Sequence, residues 1–156
     1  MTLYKRESFE HFEWGDVSPH FAVSEIFSPE TINATHLIDV PSLRLLNEFR
    51  EALGRVLIVN YGGAKCRGVR SSKEQERIYR FKPGAALNSM HVQGKAFDIS
   101  SPEMTPDELY REALAFGWSA AGLYPSFVHV DTRTLWTPTQ TTWRQIVDPR
   151  KPVVTG

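Results

Sequence analysis

Between Lys95 and Asp131 the chain alternates strand-like and helix-like hydrophobic spacing, and this stretch constrains the fold more than any other. Lys95 to Ile99 reads as a strand. Thr105, Pro106 and Glu108 then spell a helix start, with Thr as N-cap, Pro in the first helical position and Glu three residues after the cap. The apolar spacing carries that helix to about Phe116, and Gly117 stops it. Two further short apolar runs, Ser119 to Leu123 and Phe127 to Asp131, predict a hairpin. Strands and helices mixed in this way, without a repeating βαβ unit, imply an α+β fold: a small antiparallel sheet flanked by helices.

The rest of the chain is consistent with one domain over residues 1–156. Residues 1–40 are rich in aromatics, His and Pro and have weak periodicity. They read as an irregular N-terminal arm with a helical turn near Ser24 to Phe27, held to the domain by Phe9, Phe12, Trp14, Phe21 and Phe27. From Pro41 to Leu53, Leu43, Leu46, Phe49, Arg50 and Leu53 fall at helical spacing, and Gly54 closes the segment. Val56 to Val59 predicts a short buried strand, Ser71 to Tyr79 a polar helix and Phe81 to Leu87 a loop. Residues 137–156 read as a C-terminal tail.

Composition removes several classes of function. With 41% hydrophobic and 12% aromatic residues the chain can bury a core without disulfides. Its 18 basic and 18 acidic residues cancel, so there is no overall field to draw nucleic acid or an anionic membrane. The one cysteine, Cys66, has no partner for an internal disulfide and no His paired with it in sequence, and reads as an incidental thiol. No run reaches the roughly 18 apolar residues of a membrane span. The N-terminus Met-Thr-Leu-Tyr-Lys-Arg-Glu carries charge where a secretion signal has its apolar core, so the expected site of the protein as synthesised is the cytoplasm.

Two segments carry chemistry: Ser89-Met90-His91-Val92-Gln93-Gly94-Lys95-Ala96-Phe97-Asp98 and Phe127-Val128-His129-Val130-Asp131. Two His and one Asp are the donor set of a catalytic zinc, which takes three protein ligands and keeps a position for water. Such a metal lowers the pKa of that water toward about 7. His91 and Asp98 are seven residues apart, too far for one helical turn, so the chain must bend between them, and Gly94 can supply the bend. His129 would reach across from a neighbouring strand. On spacing alone, a loop His and a strand-end Asp are the simpler account. His11, His20 and His36 read as surface or arm residues.

The pattern Ser-x-His-x-x-Gly-x-Ala-x-Asp, with a strand ending in His-Val-Asp some thirty residues later, resembles the zinc D-Ala-D-Ala carboxypeptidase family. That family shares its metal site with D-Ala-D-Ala dipeptidases, phage L-alanyl-D-glutamate endopeptidases and the hedgehog signalling domain. Ser89, His91, Gly94, Ala96 and Asp98 occupy the fixed positions, and the run Gly122 to Asp131 resembles the C-terminal half of small bacterial and phage members. His20-Phe21-Ala22-Val23-Ser24-Glu25 resembles their N-terminal region, and the similarity spans roughly residues 18 to 136. It implies a hedgehog-like fold with Zn2+ on His91, Asp98 and His129. It also implies that Arg70, in Gly68-Val69-Arg70-Ser71, binds substrate near the scissile bond, where a guanidinium can hold a carboxylate or polarise a carbonyl. A solvated cation at the start of the second helix is the plain alternative for Arg70. Ser89 would contribute a hydroxyl to the substrate or to ligand positioning.

The chain departs from the family at one position. Hydrolysis needs a base to take a proton from the attacking water and deliver it to the leaving amine. Many relatives carry Glu or Asp three residues before the last His; here that residue is Ser126, whose hydroxyl is not basic near neutral pH. Two roles are open to Asp131, on the same strand face as His129: catalytic base, or outer partner of an imidazole or of Arg133. Tyr124 either lines the substrate groove or fills the hairpin turn, and Trp136 and Trp143 read as partial core rather than stacking surfaces.

The resemblance implies a zinc peptidase that hydrolyses peptidoglycan stem peptides, as carboxypeptidase or endopeptidase. Without a secretion signal, a phage or prophage lytic enzyme released at lysis or carried in a virion fits better than an exported housekeeping enzyme. The alternative is a zinc-holding, non-catalytic binding or structural module, for example of a phage particle, and Ser126 is the residue that favours it.

Overall fold

A computed structural model describes residues 13–27, 38–59, 68–69, 90–135 and 137–144. The longest helix forms where the apolar spacing puts it. Val40–Leu53 is held at its start by the Asp39 carboxylate, which accepts from the Ser42 N–H at 3.3 Å, and ends at Gly54. It turns Leu43, Leu46 and Phe49 inward. Pro106–Phe116 begins as its sequence spells out: Thr105 Oγ1 accepts from the Glu108 N–H at 3.2 Å, Pro sits in the first turn and Gly117 ends the helix. Leu109, Tyr110 and Ala113 are its buried face.

Among the described residues, five strands make one sheet. In chain order the elements are α1 (Trp14–Val17), α2 (Val23–Ile26), α3 (Val40–Leu53), β1 (Ile58–Val59), β2 (Ala96–Ser100), α4 (Pro106–Phe116), β3 (Ala120–Leu123), β4 (Val128–Asp131) and β5 (Thr141–Arg144). The strand order is β1-β2-β4-β3-β5. β1 with β2, β2 with β4 and β4 with β3 pair antiparallel, and β3 and β4 are the expected hairpin, closed by Tyr124 N–H to Phe127 O at 3.0 Å. β5 pairs parallel to β3, so the sheet is mixed. It lies within the segment read from sequence as a tail. Thr141-Thr142-Trp143-Arg144 has no apolar alternation to announce a strand, because neither face of this edge joins the core.

Alternation along the strands gives the sheet two different faces. Register aligns Phe97 with Val130 and Ile99 with Val128, and places Ala121 and Leu123 beside them. Phe97, Ile99, Val128, Val130 and Ala121 are fully buried, and Trp118 sits edge-on between Phe49 of α3 and Phe97. This face and the two long helices enclose the core. Burying each large side chain here contributes roughly 1.5–3 kcal/mol.

Residues 13–27 of the arm are fastened to the domain. Phe21 and Phe27 join the core and Trp14 packs against it. Asn47 of α3 accepts from the His20 N–H at 2.9 Å and donates to Ser18 Oγ at 3.1 Å. The helical turn expected near Ser24 is α2. Phe9, Phe12, Cys66, the predicted helix Ser71 to Tyr79 and the loop Phe81 to Leu87 lie outside the described residues.

Candidate metal centre

The second face of the sheet carries the polar cluster. Asp98 on β2 and His129 on β4 are direct cross-strand partners, so their side chains rise from the same face side by side. His91 arrives from the turn before β2. That turn is closed by Gly94 N–H to His91 O at 3.2 Å and Lys95 N–H to Met90 O at 3.0 Å, and Gly94 takes φ 71°, a bend that L side chains resist. Asp39, just before α3, donates its N–H to Gly94 O at 3.0 Å and pins the turn to the helix.

Both imidazoles have their outer nitrogens assigned by what they touch. His91 Nδ1 lies 2.7 Å from Gly68 O, which can only accept, so this nitrogen carries the hydrogen. Gly68 is held there through its neighbour, since Val69 N–H donates to Ile26 O at 2.9 Å. His129 Nε2 donates to Asp131 Oδ2 at 2.7 Å. The inner nitrogens then converge on one carboxylate oxygen: His91 Nε2 is 3.1 Å and His129 Nδ1 3.0 Å from Asp98 Oδ1.

These three donor atoms lie within 4.8 Å of one another and could hold a metal ion. The fit is close. Ligand atoms around a tetrahedral zinc at about 2.0–2.1 Å stand roughly 3.3 Å apart, close to the 3.1 and 3.0 Å that separate Asp98 Oδ1 from the two inner nitrogens. Hydrogen-bonded outer nitrogens on each ligating His are what a metal site requires to fix ring and tautomer.

Charge in the cluster is strongly coupled. Burial works to raise the Asp98 carboxyl, but the His91 charge and the bonds from His129 and His91 hold it well below the usual carboxylate range. Burial would lower His129; bonds to Asp131 and Asp98 outweigh that and lift it to about 8. A proton and a metal ion held there would therefore compete for the same inner nitrogens.

Asp131 is fully buried and faces away from the inner side of the cluster. Its Oδ2 accepts from His129 Nε2 and from Arg133 Nη2 at 2.6 Å; its Oδ1 accepts from Arg133 Nε at 2.9 Å and from the Arg133 N–H at 3.0 Å. Burial would raise this carboxyl, but Arg133 and His129 hold it well below its ordinary range. Ser126 is exposed in the β3–β4 turn. Tyr124, at the same turn, stacks on Phe127 with ring centroids 4.5 Å apart. Arg70, Ser89 and Trp136 lie outside the described residues.

Two contributors to the site left no usable signal in sequence. Gly68 acts through its backbone carbonyl, which no side chain reports. Trp143 reaches His129, with ring centroids 5.1 Å apart, only because β5 joins the sheet beside β3.

Fold and site together define a small α+β domain with a two-imidazole, one-carboxylate centre of metal-binding type on the face of its sheet opposite the core. The chain belongs to the peptidase M15 family, whose model matches residues 19–131. The match takes in all three cluster residues and Asp131 and stops short of β5. A search of the curated proteins gave no match.

Proposed function

We propose that this protein is a zinc peptidase that hydrolyses peptide bonds of peptidoglycan stem peptides, as a carboxypeptidase or endopeptidase. The observation that carries the reading is the orientation of the two imidazoles. Each gives its outer nitrogen to a fixed acceptor and turns its inner nitrogen to Asp98 Oδ1. His91 Nε2, Asp98 Oδ1 and His129 Nδ1 are the ligand atoms in this reading. Zinc held there supplies a Lewis acid that polarises the scissile carbonyl and acidifies water.

The chain's own residues do the rest. Gly68 O and Asp131 lock the two rings in the tautomers that present inner lone pairs. Arg133 neutralises Asp131 and spends both its oxygens, so Asp131 is a positioning residue in this reading, not the base. Arg70 holds a substrate carboxylate or carbonyl, and Ser89 assists substrate or ligand, as the family resemblance implies.

One observation favours a second reading, a zinc-holding module that does not hydrolyse. Ser126 is exposed and non-basic, and the Asp131 carboxylate is already committed. Metal analysis followed by incubation with murein and defined stem peptides, with and without chelator, separates the two. Stoichiometric zinc with chelator-sensitive cleavage supports the peptidase. Stoichiometric zinc with no peptide cut supports the module, and no bound metal, unchanged in His91→Ala, overturns both.

A further inference from the structure

One row of residues crosses four strands on the site face: Asp98 on β2, His129 on β4, Gly122 on β3 and Trp143 on β5. The third place in the row is empty of side chain, and the indole lies in it. A Cβ at Gly122 would stand 2.2 Å from the Trp143 ring, so any other residue there would push the indole away. Trp143 thereby reaches His129, on the ring that faces Asp98. Its Nε1 donates to Tyr124 Oη at 3.0 Å, Tyr124 stacks on Phe127, and the Arg133 guanidinium lies 5.3 Å from the indole centroid.

These aromatics stand apart from the core. Trp118 is fully buried on the opposite face, whereas Trp143, Tyr124 and Phe127 are half-buried on the site face and belong to no part of the core cluster. A tryptophan kept out of the core, pinned by a hydrogen bond and admitted by a glycine is positioned for contact with something else. We propose that Trp143, laid over Gly122, is a specificity-determining wall of the substrate groove beside the metal-facing cluster. Its occupant is an aliphatic side chain of the peptide residue flanking the scissile bond. The indole N–H is spent on Tyr124 and the Arg133 head on Asp131, so the wall offers carbon surface and disfavours a carboxylate. This rests on the peptidase reading of the same site.

The test uses zinc-loaded protein and two synthetic stem-type peptides, one with alanine and one with glutamate at the flanking position. Binding is followed by calorimetry and cleavage by chromatography. Trp143→Ala weakens binding of the alanine peptide roughly tenfold, raises KM to match, and leaves kcat and zinc content unchanged. Gly122→Ala does the same in the wild-type background and nothing further in Trp143→Ala, since its effect runs through the indole. Trp143→Phe, which keeps an aromatic face, restores most of the affinity. Unchanged binding in Trp143→Ala, an equal Gly122→Ala effect with the indole absent, or loss of zinc from Trp143→Ala would each overturn the wall. Wild-type protein that binds peptide without cutting it sinks hydrolysis alone, and the binding arms still decide the wall. Wild-type protein that binds neither peptide overturns both.

Discussion

The two faces of the sheet are built from alternate residues of the same short strands, yet they are stable for different reasons. In β2, Phe97 and Ile99 face the helices while Ala96 and Asp98 face the site; in β4, Val128 and Val130 face the helices while His129 and Asp131 face the site. The helix side is a hydrophobic contact that leaves few polar groups to satisfy. The site side buries two carboxylates and two imidazoles, each of which would be costly alone and is tolerable because every charge meets a partner. Small Ala96 and Ala120 flank Asp131 across the register, leaving room for the Arg133 fork. A scaffold can thus be packed with apolar side chains on one face and chemically loaded on the other.

Breaking the site face at its centre should have the largest effect. Asp98→Ala removes the oxygen on which both inner nitrogens converge; metal content should fall from one ion per chain to none, with peptide cleavage lost alongside. Elemental analysis after gel filtration reads this directly. Breaking the helix face should separate cleanly from it. Phe97→Ala leaves a cavity beside Trp118 and should cost about 3–5 kcal/mol in denaturant unfolding, while the folded fraction still binds one metal. A Phe97→Ala protein that folds stably but has lost its metal would show that the faces are not independent.

The two faces also differed in how legible they were. Thr105, Pro106, Glu108 and Gly117 put both ends of α4 in the sequence because capping is local chemistry. The hairpin and the spacing of α3 were readable for the same reason. His91, Asp98 and His129 could be named as a group from the family pattern, but spacing alone did not distinguish them from a loop His and a strand-end Asp. What joins them is register, Asp98 opposite His129, and register is a property of pairing that no single segment encodes. β5 was missed because an edge strand with one face at the site and the other exposed lacks the apolar alternation of a core strand. With it went the surroundings of Trp143, whose place depends on a gap at Gly122 one strand away.

Asp131 gives a finer probe of the site face. If it serves to orient His129, Asp131→Asn should weaken metal binding roughly 10–100-fold, while activity at saturating metal survives in good part. Competition with a chromophoric chelator gives the affinity. Full metal retention with activity abolished would instead return Asp131 to the role of base.

The last effect, about 2 kcal/mol for a shift from 6.5 to about 8, is in pH dependence: across the window where the metal-free protein loses stability, the metal-loaded protein should hold steady. In the metal-free protein His129 is lifted from 6.5 to about 8 by Asp131 and Asp98 against the pull of burial. The folded state therefore holds its proton more tightly than the unfolded chain. That stabilisation is complete below pH 6.5 and is lost as pH rises through about 8. Asp98 and Asp131, held low in the folded state, add stability above the usual carboxylate range that is lost in acid. Metal binding has the reverse dependence on His129, because the ion takes Nδ1 only when the proton has gone; affinity should climb about tenfold per pH unit up to about 8 and then level off. Unfolding followed with chelator and with excess zinc from pH 6 to 9 reads both limbs. Profiles that run parallel would mean that proton and metal do not share the inner face of His129, and the ligand assignment would fall with them.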